Sequence, residues 1–171
     1  NLYLPTNMSV CKHRKTRHPP PCSSPMLKNL PPLLTPDALH ALASMGHGDD
    51  LVIVDANFPS ARLAHQGGAR LVELAGTDAP SVLKAVLQLL PLDTFTQDPT
   101  RTMAVVGAPA EIPAPVEEFQ AILADAGEAA PAILDRQMFY EQAATAFAIF
   151  RTGEMRKYGN ILLRTGVVSA D

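Results

Sequence analysis

Residues 35–55 read TPDALHALASMGHGDDLVIVD, and this stretch decides the fold class. Thr35-Pro36-Asp37 is a helix start: a hydroxyl N-cap, proline at the first helical position, and an acid in the first turn. Leu39, Leu42 and Met45 follow at spacing three, and Gly46 stops the helix. Leu51-Val52-Ile53-Val54 is then a continuous apolar run, the pattern of a strand buried on both faces. A helix followed at once by a doubly buried strand is the repeating step of an α/β sheet.

Working outward, the same alternation recurs. Arg70 to Leu74 reads as a second strand. Thr77 or Asp78 caps a helix bearing Val82, Leu83, Val86, Leu87 and Leu90, which Pro91 closes. Met103 to Val106 is a strand candidate. Val116 to Ala126 reads as a helix with Phe119, Ile122 and Leu123 on one face, ending at Gly127. Ala132 to Leu134 is a short strand and Met138 to Ala144 a short helix. Phe147 to Phe150 and Ile161 to Leu163 are late strands, each followed by Arg-Thr-Gly. The expectation is an α/β sheet covered by helices on both faces.

Length and composition set the outer bounds. A chain of 171 residues, 47% hydrophobic and 18% charged, fits one soluble globular domain and excludes a wholly disordered chain. No apolar run approaches the roughly 18 residues needed to cross a bilayer, so no membrane partner is expected. The net charge of −3 conceals an asymmetry. Residues 1–25 hold Lys12, Arg14, Lys15 and Arg17 and no acid, so the remainder carries a net of −7. Nucleic-acid binding runs on phosphate neutralisation, so an acidic body argues against that class of partner.

Residues 1–25 also hold Pro5, Pro19, Pro20, Pro21, Pro25 and both cysteines, Cys11 and Cys22. They show no periodicity and no apolar core of a secretory signal. Cys11, His13, His18 and Cys22 match no common zinc spacing, so no metal is expected there. The expected organisation is a disordered extension over 1–25, or sequence upstream of a start at Met26, then a single domain over 26–171. The body lacks cysteine, which gives no sign of export or thiol chemistry; a cytoplasmic location is expected.

The common cofactor signatures are missing. Gly46-His47-Gly48 begins like a dinucleotide loop but has Leu51 where a third glycine belongs. There is no phosphate-binding P-loop and no nucleophile elbow. Chemistry must therefore come from acids, bases and hydrogen bonds, and no cofactor is expected. Three groupings could supply it. His47, flanked by glycines, has little shielding, and a free imidazole, with a pKa near ~6.5, is suited to proton transfer; a loop histidine with no role is the plain alternative. Asp55 ends the first strand, where α/β sheets place ligand crevices; an Asx cap on the next turn is its plain alternative. Arg136, Tyr140, Tyr158 and Asn160 offer hydrogen-bonding groups suited to polyhydroxylated ligands, or ordinary surface and turn chemistry.

Taken together, these residues resemble one family. The segments Met45-Gly46-His47-Gly48-Asp49, Asp55-Ala56-Asn57-Phe58-Pro59, Arg136 with Phe139-Tyr140-Glu141, Ala146-Phe147-Ala148-Ile149, Thr152-Gly153-Glu154, and Tyr158-Gly159-Asn160-Ile161-Leu162-Leu163 with Gly166-Val167 are similar to the L-fucose mutarotase/D-ribose pyranase family. The likeness spans Met26 to Val168. Gly48 and the Tyr-Gly-Asn triplet resemble the fucose-mutarotase branch.

The resemblance implies a three-layer α/β/α sandwich and a cofactor-independent isomerase interconverting the α and β anomers of a monosaccharide, L-fucose first. It implies no metal, and homo-oligomeric rings, often decameric, with sites near subunit interfaces. It makes His47 the proton donor and Asp55, Arg136, Tyr158, Gly159 and Asn160 sugar contacts, with Tyr140 as a further pocket residue. The identity of the base stays open among Asp55, Tyr158 and water. Residues 1–25 have no counterpart. Gln137-Met138 and the Thr94–Thr100 segment depart from the fucose type and bear on sugar preference. D-ribose pyranase activity, or a non-catalytic sugar-binding subunit on the same fold, are the alternatives.

Overall fold

In a computed structural model, residues 27–168 are described, so the expected disordered extension and absent metal site over residues 1–25 lie outside them. The elements run α1 (Pro36–Ser44), β1 (Asp50–Val54), α2 (Ser60–Gly67), β2 (Arg70–Leu74), α3 (Ala79–Val86), β3 (Thr100–Met103), α4 (Ala114–Asp125), β4 (Ala132–Leu134), α5 (Arg136–Ala144), β5 (Ala148–Thr152) and β6 (Ile161–Arg164). The capping chemistry is as expected. Thr35 Oγ1 accepts the Ala38 N–H at 3.2 Å, and Asp78 Oδ1 accepts the Ser81 N–H at 2.7 Å.

One six-stranded sheet has the order β2-β5-β1-β6-β3-β4. The β1–β5, β2–β5 and β3–β4 pairs are parallel, whereas β6 is antiparallel to both β1 and β3. Five strands therefore point one way, and β6 runs back between them. Strand period two sorts the side chains into two cores. Leu51, Ile53, Phe150, Ile161 and Leu163 face one side with α1, α3 and α4. Val52, Val54, Ile149 and Leu162 face the other with α2 and α5, around Leu63, Phe139 and Ala143. The three-layer α/β/α sandwich is the observed fold.

Three expectations need correction. The third strand covers Thr100–Met103, not Met103–Val106. Its polar residues Thr100, Arg101 and Thr102 are buried, and Arg101 is met there by the Gln142 amide oxygen (3.1 Å) and the Asp50 carboxylate (3.9 Å). The helix α5 begins at Arg136 rather than Met138, since Asp135 accepts the Met138 N–H at 3.0 Å and starts the turn earlier. The sequence reading had no element over α2, whose buried face is only Ser60, Leu63 and Ala64.

Candidate functional site

Five parallel strands expose their C-terminal ends on one edge of the sheet, and β6 begins there. In open α/β sheets ligands bind at this edge, where strand order reverses. A cleft of about 220 Å³ lies there. Its lining comes from four places in the chain: Asp55, Asn57 and Phe58 after β1, Met103 ending β3, Arg136 and Tyr140 on α5, and Lys157, Tyr158 and Asn160 leading into β6. The volume is below the ~300–1,000 Å³ of sites for drug-sized ligands and suits a smaller polar molecule.

Asp55 and Asn160 form the floor. Asn160 Nδ2 donates to Asp55 Oδ2 at 2.9 Å, and Asn160 Oδ1 accepts the Asp55 backbone N–H at 2.9 Å. Asp55 Oδ1 accepts the Asn57 N–H at 2.9 Å. The Asp55 side chain thus also closes the Asx turn anticipated as its plain role. Each oxygen keeps a lone pair for a ligand hydroxyl. Asp55 is only 4% exposed. Burial pushes its carboxyl above the ordinary 3.8, against the opposing pull of the bonds from Asn57 and Asn160.

One wall is a stack. Phe58 lies on Tyr140 with centroids 5.1 Å apart and planes at 29°, and the Arg136 guanidinium sits 5.4 Å over the Tyr140 ring. Another wall is the segment 157–160. Tyr158 holds φ +64, a conformation costing a non-glycine residue roughly 1–3 kcal/mol. Its hydroxyl accepts the Val106 N–H at 3.2 Å, which leaves its own proton to donate.

Beneath that segment Glu154 is buried and takes Arg156 through its backbone N–H (2.9 Å), Nε (2.9 Å) and Nη2 (2.8 Å). The Arg156 hydrogen bonds hold the Glu154 carboxyl below its ordinary value. Arg156 also pairs with Glu118 of α4. Gly159 fits here for lack of a side chain: an added Cβ would lie 2.7 Å from Glu154 Cγ and 3.6 Å from Asp55 Cβ.

The structure therefore gathers Asp55, Arg136, Tyr140, Tyr158 and Asn160, with Gly159 packed beside Asp55. It keeps His47 apart. His47 precedes β1 and Asp55 follows it, so the length of a five-residue strand, about 17 Å, separates the two ends. The His47 loop is braced on the far end of β6: the Gly48 N–H donates to the Thr165 carbonyl and the Thr165 N–H to the Asp49 carbonyl, both 2.9 Å. Gly48 turns the chain at φ +86, which favours glycine. The His47 side chain is 48% exposed, with Nε2 3.3 Å from Asp93 Oδ1 and Phe95 edge-on at 5.5 Å. Orientation of His47 by Asp55 of its own chain is thereby excluded.

Sequence reasoning had not singled out four lining residues: Asn57, Phe58, Met103 and Lys157. Three of them stand within two or three positions of Asp55 or Asn160, so proximity in sequence was an available signal. Met103 had none beyond its place at a strand end. Among the described residues no group of three or more His, Cys, Asp or Glu could hold a metal, and no helix is long and apolar enough to cross a membrane.

Comparison with known proteins follows the same lines. A model of the RbsD / FucU transport protein family matches residues 28–168. A fucose mutarotase of Bos taurus is 44% identical over 147 residues, covering 84% of this chain and 95% of that protein. The crystal structure of the fucose mutarotase of Streptococcus pneumoniae in complex with L-fucose superposes with a TM-score of 0.77 at 36% identity, over 84% of this chain and 100% of that one. Bacillus subtilis RbsD complexed with D-ribose, at 20% identity, shares the fold with a TM-score of 0.63 over 80% of this chain and 95% of that one.

Proposed function

The chain belongs to the RbsD / FucU family, and from that premise we propose that it is a mutarotase interconverting the α and β anomers of L-fucose. The observation that carries this reading is the cleft that joins the buried Asp55–Asn160 pair to Arg136, Tyr140 and Tyr158. A fucose mutarotase relative at 44% identity and another crystallised with L-fucose support the choice of sugar.

Mutarotation is a pair of proton transfers. The anomeric hydroxyl loses its proton and the bond from C1 to the ring oxygen breaks. The ring oxygen gains a proton, leaving the open-chain aldehyde. Rotation about C1–C2 presents the other carbonyl face, and the steps reverse. No electrons move to or from a carrier. Asp55, with its carboxyl raised by burial, is the base for the anomeric proton. Arg136, Tyr158 and Lys157 grip the remaining hydroxyls, and the Phe58–Tyr140 stack lies against the apolar edge of the ring.

His47 is the acid for the ring oxygen, and it serves the cleft of a neighbouring copy. Its own cleft is a strand length away, while its ring is half exposed beside Phe95, itself 77% exposed. The cleft edge in turn exposes Met155 and Val106. Contact of one edge with the other is head-to-tail, and such contacts close into rings when the rotation permits. A homo-oligomeric ring, of which a decamer is one form, is the assembly this reading requires.

Saturation-transfer NMR of anomer exchange tests the proposal. Exchange of L-fucose anomers should rise with added protein, more than for D-ribose, and return to the background rate with His47→Ala. Binding of L-fucose without accelerated exchange would make the protein a sugar-binding subunit instead.

A further inference from the structure

We propose that Asp93 is the positioning residue of His47: it holds the imidazole as the Nε2–H tautomer, so that Nδ1 is the atom that trades protons with the sugar. The inference rests on the role given to His47 above and assigns which nitrogen does the work.

Asp93 is 6% exposed, although it lies in the connection between α3 and β3. Its place is fixed from two sides. Its backbone N–H donates to the Arg164 carbonyl at 3.0 Å, on the same end of β6 that braces the His47 loop. Its Oδ1 accepts the Phe95 N–H at 2.9 Å. His47 Nε2 approaches that same Oδ1 at 3.3 Å, the long end of hydrogen-bond range. The bond from Phe95 above all, and that from His47, hold the Asp93 carboxyl below its ordinary value, so it is ionised at neutral pH.

An ionised carboxylate only accepts. The ring nitrogen that faces it must therefore carry hydrogen, and in the neutral imidazole the other nitrogen is then bare. Phe95 stands edge-on against the ring at 64° and limits its rotation. The two ends of the pair are tied to one strand, so the imidazole is held before any sugar arrives. Carboxylates that orient histidines in the same way at metal sites are typically worth about 10–100-fold in activity, and that range sets the scale expected here.

The test is ¹⁵N NMR of the His47 ring in the full assembled chain, beside anomer-exchange kinetics. In wild type the neutral ring should show the Nε2–H pattern. Asp93→Ala should bring in the Nδ1–H form and lower kcat for exchange by about 10–100-fold with KM for L-fucose little changed. In Asp93→Asn the Phe95 N–H keeps the amide oxygen, rather than the amide N–H, toward Nε2, so the variant should retain the tautomer and recover most of the rate. A wild-type ring with hydrogen on Nδ1, or mixed between the two, overturns the inference. So does a loss of kcat in Asp93→Ala with the tautomer unchanged, which would be a structural effect alone. The wild-type spectrum and Asp93→Asn decide the matter should Asp93→Ala fail to fold. If His47→Ala leaves exchange intact, the mutarotase reading of His47 fails instead, and the two failures are told apart.

Discussion

Asp55 and Asn160 bind each other in both directions: the Asn160 amide donates to the Asp55 carboxylate and accepts from the Asp55 backbone, each at 2.9 Å. The two residues are 105 positions apart and end neighbouring antiparallel strands at the same edge. Asn160 therefore has its side-chain oxygen and one amide hydrogen committed before a ligand arrives. Its part in the cleft is first to hold Asp55 and second to offer its remaining N–H.

Asn160→Ala should accordingly cost stability as well as binding. It leaves the buried Asp55 N–H without a partner, a loss of about 1–3 kcal/mol. It also removes one of the bonds restraining the Asp55 carboxyl, which should titrate higher still. Urea unfolding of the variant checks the first, and carboxyl ¹³C shifts against pH check the second.

The pH dependence of stability has a definite sign at Asp55. With a folded-state pKa above the ordinary 3.8, Asp55 binds a proton more readily folded than unfolded. Its contribution therefore falls as pH rises from about 3.8 through the raised value, and stays unfavourable at neutral pH. Wild type should lose stability relative to Asp55→Asn across that window, then run parallel to it. Asp93, whose value is lowered, acts in the opposite sense in both proteins and cancels from the difference, whereas the Glu154 charge is one of the causes that raise Asp55 and so is part of what the difference reads. Unfolding of the pair at a series of pH values reads the outcome, and a difference that does not change with pH would contradict it.

His47→Ala should reduce anomer exchange by about 10²–10⁴-fold, the range for loss of a general acid. Mixing gives a sharper test of where the imidazole acts. His47→Ala and Asp55→Asn should each be inactive alone. When the two are refolded together, roughly a quarter of head-to-tail junctions should pair an intact His47 with an intact Asp55. Exchange should recover in that proportion, and none should return if each chain served its own cleft.

Gly159→Ala should damage the cleft through packing, without removing a ligand-binding group. The added methyl would meet the γ-carbon of a Glu154 side chain locked by three bonds to Arg156. Overpacking of this kind costs about 1–3 kcal/mol. A fall in thermal midpoint together with a raised KM for L-fucose would report that the segment bearing Tyr158 has moved.

Much of this architecture was legible from the chain. The Thr35 cap, the β-branched run of β1 and the boundaries of β2 and β4 were readable because each signal is local and strong. The strand β3 was misplaced because its buried residues include Thr100, Arg101 and Thr102, and the partners of Arg101, Gln142 and Asp50, are far away in sequence. The helix α2 escaped notice because Leu63 and Ala64 are too few to make a periodic stripe. Sheet order was not legible either, since nothing local to β6 tells that it runs against its neighbours. At the site, residue types and motif resemblance pointed to Asp55, Arg136, Tyr140, Tyr158 and Asn160. That His47 lies at the other end of β1, held by Asp93, depends on tertiary placement alone.

The position of His47 at one end of β1 and Asp55 at the other has an arithmetical consequence. On the mechanism proposed above, a lone chain owns two half-centres and no whole one. An open row of copies has one fewer working centre than it has members, and joining the last copy to the first supplies the missing one. Turnover per chain should then depend on concentration, vanishing on dilution below the association threshold and levelling off once the circle is complete.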